Sequence, residues 1–426
     1  MDMEMERVWH TDDAPDVYGY KNPSANSFFL SMFLRAGSMH GDESIPGITH
    51  FLEHVAIRNV DKVMDGELYS TVDSLGLEFN ASTYSEMVQF YISGAKEKLP
   101  SAIDIFLKLF SPIVLSADEI KREGDRIKAE IRENDERSSL ANFTSQIVYK
   151  GTPLEETITG TVGDVSRISA KKLEEYRRSV FTRKNIFFYL TGSFDDSAVD
   201  SLCTALRRLS LPEGEYRDNS ATVPNSFFKR TPEVKIKNAD FTMLRMTFDI
   251  DMTKCPVAEC DILYDILLGG YNSRLYIELS EKRGLCYDVS GAIERYKNIG
   301  TFTFSVELKG REVYEALKII LGVLTEIKKN VFPENRLMKA GYVDNAYMLY
   351  DDARELNFTM AYDNHIMSEG YSSLDERRER YARITPDRIR CVANEIFKKE
   401  NLTLTMKGIR RKTDTEKINE ILKGFE

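Results

Sequence analysis

Hydrophobic and polar positions along this chain fall into two kinds of period, and the same succession of periods occurs twice. An apolar strand comes first: SFFLSMFLRAG (27–37) in one half, FTMLRMTFDI (241–250) in the other. Helical spacing follows in GITHFLEHVAIRN (47–59) and VAECDILYDILLGG (257–270). Two strands come next, in 77–94 and again in 287–308. Each half then has an apolar-striped helix (99–114; 311–327) and a charged helix (117–134; 333–350). Each closes on a helix feeding a last strand (173–192; 388–408). Asn185 precedes Gly192 by the same interval at which Asn401 precedes Gly408, which fixes the register of the repeat.

This pattern predicts an α+β fold: two homologous domains, each an antiparallel or mixed sheet with helices packed on it. Segment 211–226, LPEGEYRDNSATVPNS, has no apolar period and is rich in turn formers. The expected division is therefore 1–210, a linker at 211–232, and 233–426. The 426 residues exceed what one hydrophobic core normally serves.

Charge and composition narrow the partners. A net charge of −10 argues against nucleic acid, which needs a concentrated basic surface. The short basic run KGIRRK (407–412) reads as a solvated end. Five scattered cysteines without a C-x-x-C pair read as buried reduced thiols. No apolar run approaches the ~18 residues that span a bilayer. The N-terminal MDMEMERVWH has no apolar core of a secretory signal, so the expected location is cytoplasmic.

The chemistry concentrates in HFLEH, residues 50–54. Only five histidines occur in the chain, and His50 and His54 are four apart with Glu53 between them. On a helix such a pair lies about 40° apart around the axis, so both imidazoles can reach one ion. Glu53 flanks the pair and can reach a metal-bound water. Ser44, Pro46 and Gly47 supply the helix start. This H-x-x-E-H order is a zinc-peptidase signature. Catalytic zinc sites commonly take a third protein ligand. Its candidates are Glu123, Glu130 and Glu133, on the charged helix capped by Ser116 and Glu119. His40 and His365 lack a partner pattern and read as ordinary surface or loop residues. Gly269 and Gly270 read as a helix end.

HFLEH followed by the E-x6-E pair at 123 and 130 resembles the pitrilysin or M16 metallopeptidases, the inverzincins. Three further segments are similar to that family: LRAGSMHGDESIPGITHFLEH, LEFNASTYSEMVQFY and LLGGYNSRLYIELSEKRGLCYDVS. The resemblance implies a duplicated α+β architecture and one Zn2+ per chain, held by His50, His54 and Glu130. It implies Glu53 as catalytic base and Glu123 as support for the site, with Glu133 the alternative ligand because the family spacing is usually one residue longer. It implies that peptide adds as a strand along Asn80 and Ala81, and that Tyr287 holds substrate. The implied activity is zinc-dependent hydrolysis of extended, leader or precursor peptides inside a chamber formed by two chains.

One departure stands out. Family members commonly place an Arg seven residues before that Tyr; here the position is Ser280, with Arg283 out of register. The departure points to a zinc-bearing subunit whose second M16-like partner supplies the Arg–Tyr pair, or to a homodimer. The alternative is a non-catalytic peptide-binding or assembly subunit. AlbF-type peptide-maturation proteases of bacteriocin clusters are similar in length and also act beside a partner.

Overall fold

A computed structural model describes residues 5–10, 13–40, 45–137, 139–221, 233–238, 242–310, 312–330, 343, 348–408 and 414–425. The first sheet contains β1 (Arg7–Trp9), β2 (Val17–Lys21), β3 (Ser27–Leu34), β4 (Glu78–Thr83), β5 (Val88–Ala95) and β6 (Ile186–Gly192). Its order is β1-β2-β6-β3-β5-β4. The second sheet contains β7 (Glu233–Asn238), β8 (Thr242–Asp251), β9 (Val289–Arg295), β10 (Ile299–Leu308) and β11 (Leu402–Gly408), in the order β7-β11-β8-β10-β9.

The two sheets are the same sheet twice, with β1 added to the first. In each, the opening strand pairs parallel with the closing one (β2 with β6, β7 with β11), and the remaining neighbours are antiparallel. The α+β expectation holds. Asn185 and Asn401 each end a short 3-10 turn that feeds the closing strand. Strands β2 and β7 have no counterpart in the hydrophobic reading. The expected helix over 333–350 lies mostly outside the described residues, as do Ser44, most of the basic run 407–412 and linker positions 222–232.

Strand β3 is buried at seven of its eight positions, so the first sheet is covered on both faces. One face (Leu30, Met32, Leu34, Phe90, Phe188) packs on helices of the same half. The other presents Tyr20, Phe33, Phe187 and Tyr189, which pack on Leu356, Met360 and Ala361 of helix Ala353–Ala361. That helix comes from the other half of the sequence. Asn357 within it is fully buried and donates to the carbonyls of Phe29 (3.0 Å) and Tyr189 (2.9 Å).

The second unit makes the reciprocal loan. Helix Ser139–Val148 packs on β11, where the Thr144 and Thr405 hydroxyls meet at 2.7 Å. Both borrowed helices carry the triplet Asn-Phe-Thr (142–144, 357–359). Two compact units result: 1–137, 156–219 and 346–376; then 138–155, 220–345 and 377–426. Relative to a division at 1–210 and 233–426, the units differ by these two exchanged segments. The reason is that a sheet apolar on both faces needs a second cover.

Two minor expectations change. His365 is largely buried, not a plain surface residue: its Nε2 lies 3.2 Å from Glu6 Oε1 and the Tyr18 ring stacks on it at 3.7 Å. Of the five free cysteines, Cys203, Cys255 and Cys260 are buried, whereas Cys286 is half-buried and Cys391 exposed.

Replacing Asn357 by Leu removes the amide that binds two sheet carbonyls at a fully buried position. The expected result is a loss of about 1–3 kcal/mol, read as a lower denaturant midpoint. An unchanged midpoint would mean that apolar packing alone seats this helix.

Candidate metal centre

The site is built by two helices of the first unit. Helix Ile48–Val63 carries the histidines and helix Ala117–Arg137 the glutamates. The first begins at Gly47, whose φ of +84° and contact with the Thr159 carbonyl leave no room for a Cβ. Thr49 pins it to the Tyr176 hydroxyl at 2.6 Å. Near its other end, Asn59 donates to Pro112 O (2.9 Å) and accepts from Val114 N–H (2.8 Å). These bonds seat the segment that leads into the glutamate helix. Ser116 and Glu119 then cap that helix reciprocally, and Lys62 reaches Glu119 at 3.0 Å. At Gly124 the helices come close: a Cβ there would lie 3.3 Å from the Phe51 ring.

This packing brings His50, His54 and Glu130 together. One donor atom from each lies within 4.8 Å of the others, and no other such group of three occurs among the described residues. His50 Nε2 is 3.8 Å from Glu130 Oε1, and His54 Nε2 is 3.6 Å from Glu130 Oε2. Donors bound tetrahedrally at ~2.0–2.1 Å would stand ~3.4 Å apart, so the two distances from Glu130, 3.8 and 3.6 Å, lie within a few tenths of an ångström of the spacing that zinc requires. The donor set of two imidazoles and one carboxylate is also one that zinc accepts. Burial and the neighbouring His54 push the His50 imidazole down to about 4. It is therefore neutral near pH 7, the form that binds a metal. Glu133 is exposed and stands outside the cluster.

Glu53 is buried at 8% exposure on the flank of the pair. Burial raises its carboxyl above the usual range; the Thr83 hydroxyl, donating at 2.5 Å, opposes that rise. Glu123 is more deeply buried, at 4% exposure. Its Oε1 meets Arg126 Nη1 at 2.6 Å and Arg58 Nε at 3.2 Å, while Oε2 lies 3.8 Å from His54 Nδ1. Thr83, Arg58 and Arg126 escaped the sequence reading. The i+4 step from His54 to Arg58 and the i+3 step from Glu123 to Arg126 were the available signals.

The remaining candidates lie elsewhere. Asn80 and Ala81 sit on β4, the edge of the first sheet, paired among the described residues with β5 alone. The Ala81 N–H donates to Asn80 Oδ1 at 2.8 Å. Tyr287 belongs to the second unit and is 95% exposed. In that unit Ser280 Oγ donates to the Tyr287 carbonyl, and Arg283 is committed to Glu278 at 2.6 Å. Gly269 ends helix Val257–Leu268, as the sequence suggests. No helix among the described residues is long and apolar enough to cross a membrane.

Comparison with known proteins gives the family and the fold. Residues 17–162 match the family model described as insulinase (peptidase family M16), and residues 167–340 match the peptidase M16 inactive domain. An uncharacterized zinc protease of Streptomyces coelicolor is 23% identical over 390 residues, covering 88% of this chain and 83% of its own length. One from Rickettsia felis is 25% identical over 399 residues, covering 89% and 92%. The crystal structure of a peptidase M16 inactive domain from Pseudomonas fluorescens superposes with a TM-score of 0.84 at 18% identity, covering 95% of this chain and 98% of that one.

Removing the Thr83 hydroxyl takes away a donor that favours ionised Glu53. In Thr83→Val the Glu53 titration, followed by carboxyl 13C shifts in the metal-free chain, therefore moves to higher pH. A group raised in the folded state stabilises the fold at acid pH and loses that contribution as pH rises through its titration. The variant should consequently lose more stability than wild type on that rise. A titration that stays in place would remove Thr83 from this role.

Proposed function

The chain belongs to peptidase family M16, and from that premise we propose that it is the zinc-bearing subunit of an endopeptidase acting on extended peptides. The observation that carries this reading is the convergence of His50, His54 and Glu130 within 4.8 Å, with Glu53 beside them. Those three residues would hold Zn2+, one per chain. Bound zinc would activate a water and polarise the scissile carbonyl.

Glu53 would take the proton from that water and return it to the leaving amine. Its raised carboxyl suits both halves of that task, since a base that must later act as an acid works best near the operating pH. Thr83 would keep one Glu53 oxygen occupied and leave the other to act. Glu123 would support His54 from behind. Substrate would lie along the free edge of β4, so that its main chain supplies most of the affinity. Near Asn80, an incoming carbonyl would replace the Asn80 side chain as acceptor for the Ala81 N–H. Tyr287 would be a further substrate contact.

Ser280 and the committed Arg283 leave this chain without the family's cation at that register. The reading therefore includes a partner: a second M16-like subunit that completes the chamber with its own Arg–Tyr pair, or a second copy that closes the chamber without one. Cytoplasmic maturation of a leader or ribosomally made precursor peptide is the role we assign. The same observation supports a second reading, a non-catalytic peptide-binding subunit.

The deciding experiment incubates the zinc-loaded chain and its Glu53→Gln variant with unstructured peptides, with products read by mass spectrometry. Wild type is expected to cleave, alone or after addition of the partner. Glu53→Gln is expected to keep its zinc and lose ~100-fold or more in turnover. Equal cleavage by both would overturn the role of Glu53. No cleavage under either condition, with zinc bound, would favour the second reading.

A further inference from the structure

Resting on the zinc site proposed above, we propose that Arg58 and Arg126 are positioning residues: they fix the Glu123 carboxylate so that it orients His54 toward the metal position. Both guanidinium groups meet the same oxygen, Oε1, at 3.2 and 2.6 Å. That leaves Oε2 facing His54 Nδ1 at 3.8 Å, and the opposite ring nitrogen facing Glu130 at 3.6 Å. A metal-bound imidazole is usually held by a partner on its other nitrogen. Here that partner is itself held from both helices. Arg58 follows His54 by four residues on the histidine helix, and Arg126 follows Glu123 by three on the glutamate helix.

Arg58 is anchored in turn. Its Nη1 bonds Asp61 Oδ2 at 3.2 Å, and Asp61 Oδ1 accepts the Leu68 N–H at 3.3 Å. A chain of contacts thus runs from Leu68 through Asp61, Arg58 and Glu123 to His54. His50 has nothing comparable: its Nδ1 is buried with no hydrogen-bond partner among the described residues, so no polar group on that side sets the ring. The two histidines are therefore oriented by different means, and loss of the arginines should disturb His54 selectively. A cavity of about 360 Å3 adjoins the clamp, lined by Arg58, Lys62, Glu119, Arg122 and Arg126. It gives a small cation access to the place an arginine side chain would vacate.

The test compares wild type with Arg58→Gln, Arg126→Gln, the double variant, Arg58→Lys and Arg126→Ala. Zinc affinity is read by chelator competition, and the His54 ring tautomer by 15N spectra of the metal-free chain. The double variant should bind zinc ~10–100-fold more weakly. Each single variant should lose less, because the other arginine still reaches Oε1. In the double variant the His54 Nδ1–H tautomer should lose population while His50 is unchanged. Arg58→Lys should recover part of the loss, and methylguanidinium should restore zinc binding to Arg126→Ala.

Wild-type zinc affinity and an unchanged His54 spectrum in the double variant would overturn the proposal, whatever happens to its melting temperature. A wild-type chain that takes up no zinc would instead sink the metal reading. The tautomer measurement, made without metal, would still decide whether the arginines position His54.

Discussion

Phe51 lies against the bare backbone of Gly124, and that close approach of two helices is the contact on which the site depends. His50, Glu53 and His54 come from one of these helices, Glu123 and Glu130 from the other. At a wider separation the carboxylates could not reach the imidazoles. Close packing has a consequence of its own, because it buries a carboxylate where water cannot solvate it. A buried charge is tolerated only with a partner. Arg58 and Arg126 provide two for Glu123, and the same bonds that make its burial tolerable also fix its direction.

Glu53 illustrates the opposite balance. Among the described residues no guanidinium meets it, whereas the Thr83 hydroxyl does. Burial therefore dominates, and its carboxyl titrates above the ordinary range. Two glutamates within one site thus receive different electrostatic environments from the elements around them. One is clamped by cations; the other is left desolvated, the environment that the proposed role in proton exchange draws on.

The second unit shows what the same topology does without this chemistry. Helix Val257–Leu268 follows β8 as the histidine helix follows β3. Two of its three acidic residues are tied down structurally, Asp261 to Arg295 and the Tyr381 hydroxyl, Glu259 to Arg388; the third, Asp265, is held above the usual carboxylate range, at about 6, by burial and the neighbouring Asp261. The fold is repeated, whereas the site is not, in keeping with the match of 167–340 to an inactive domain.

The sequence by itself determined the repeated order of elements, the α+β class, the H-x-x-E-H helix and the pair of glutamates on one helix face. All of these follow from periods of two, 3.6 and seven residues, which are local and survive in a linear reading. Only the tertiary structure decided that helices Ser139–Val148 and Ala353–Ala361 cover the sheet of the other half, because which apolar stripe covers which face is a matter of distant packing. It also decided that the short segments β2 and β7 pair parallel with the closing strands β6 and β11, a choice of partner that a local alternation does not carry. And it supplied Thr83, Arg58 and Arg126, ordinary polar residues in the sequence. Their importance comes from the buried carboxylates they meet, and burial is a property of the folded chain alone.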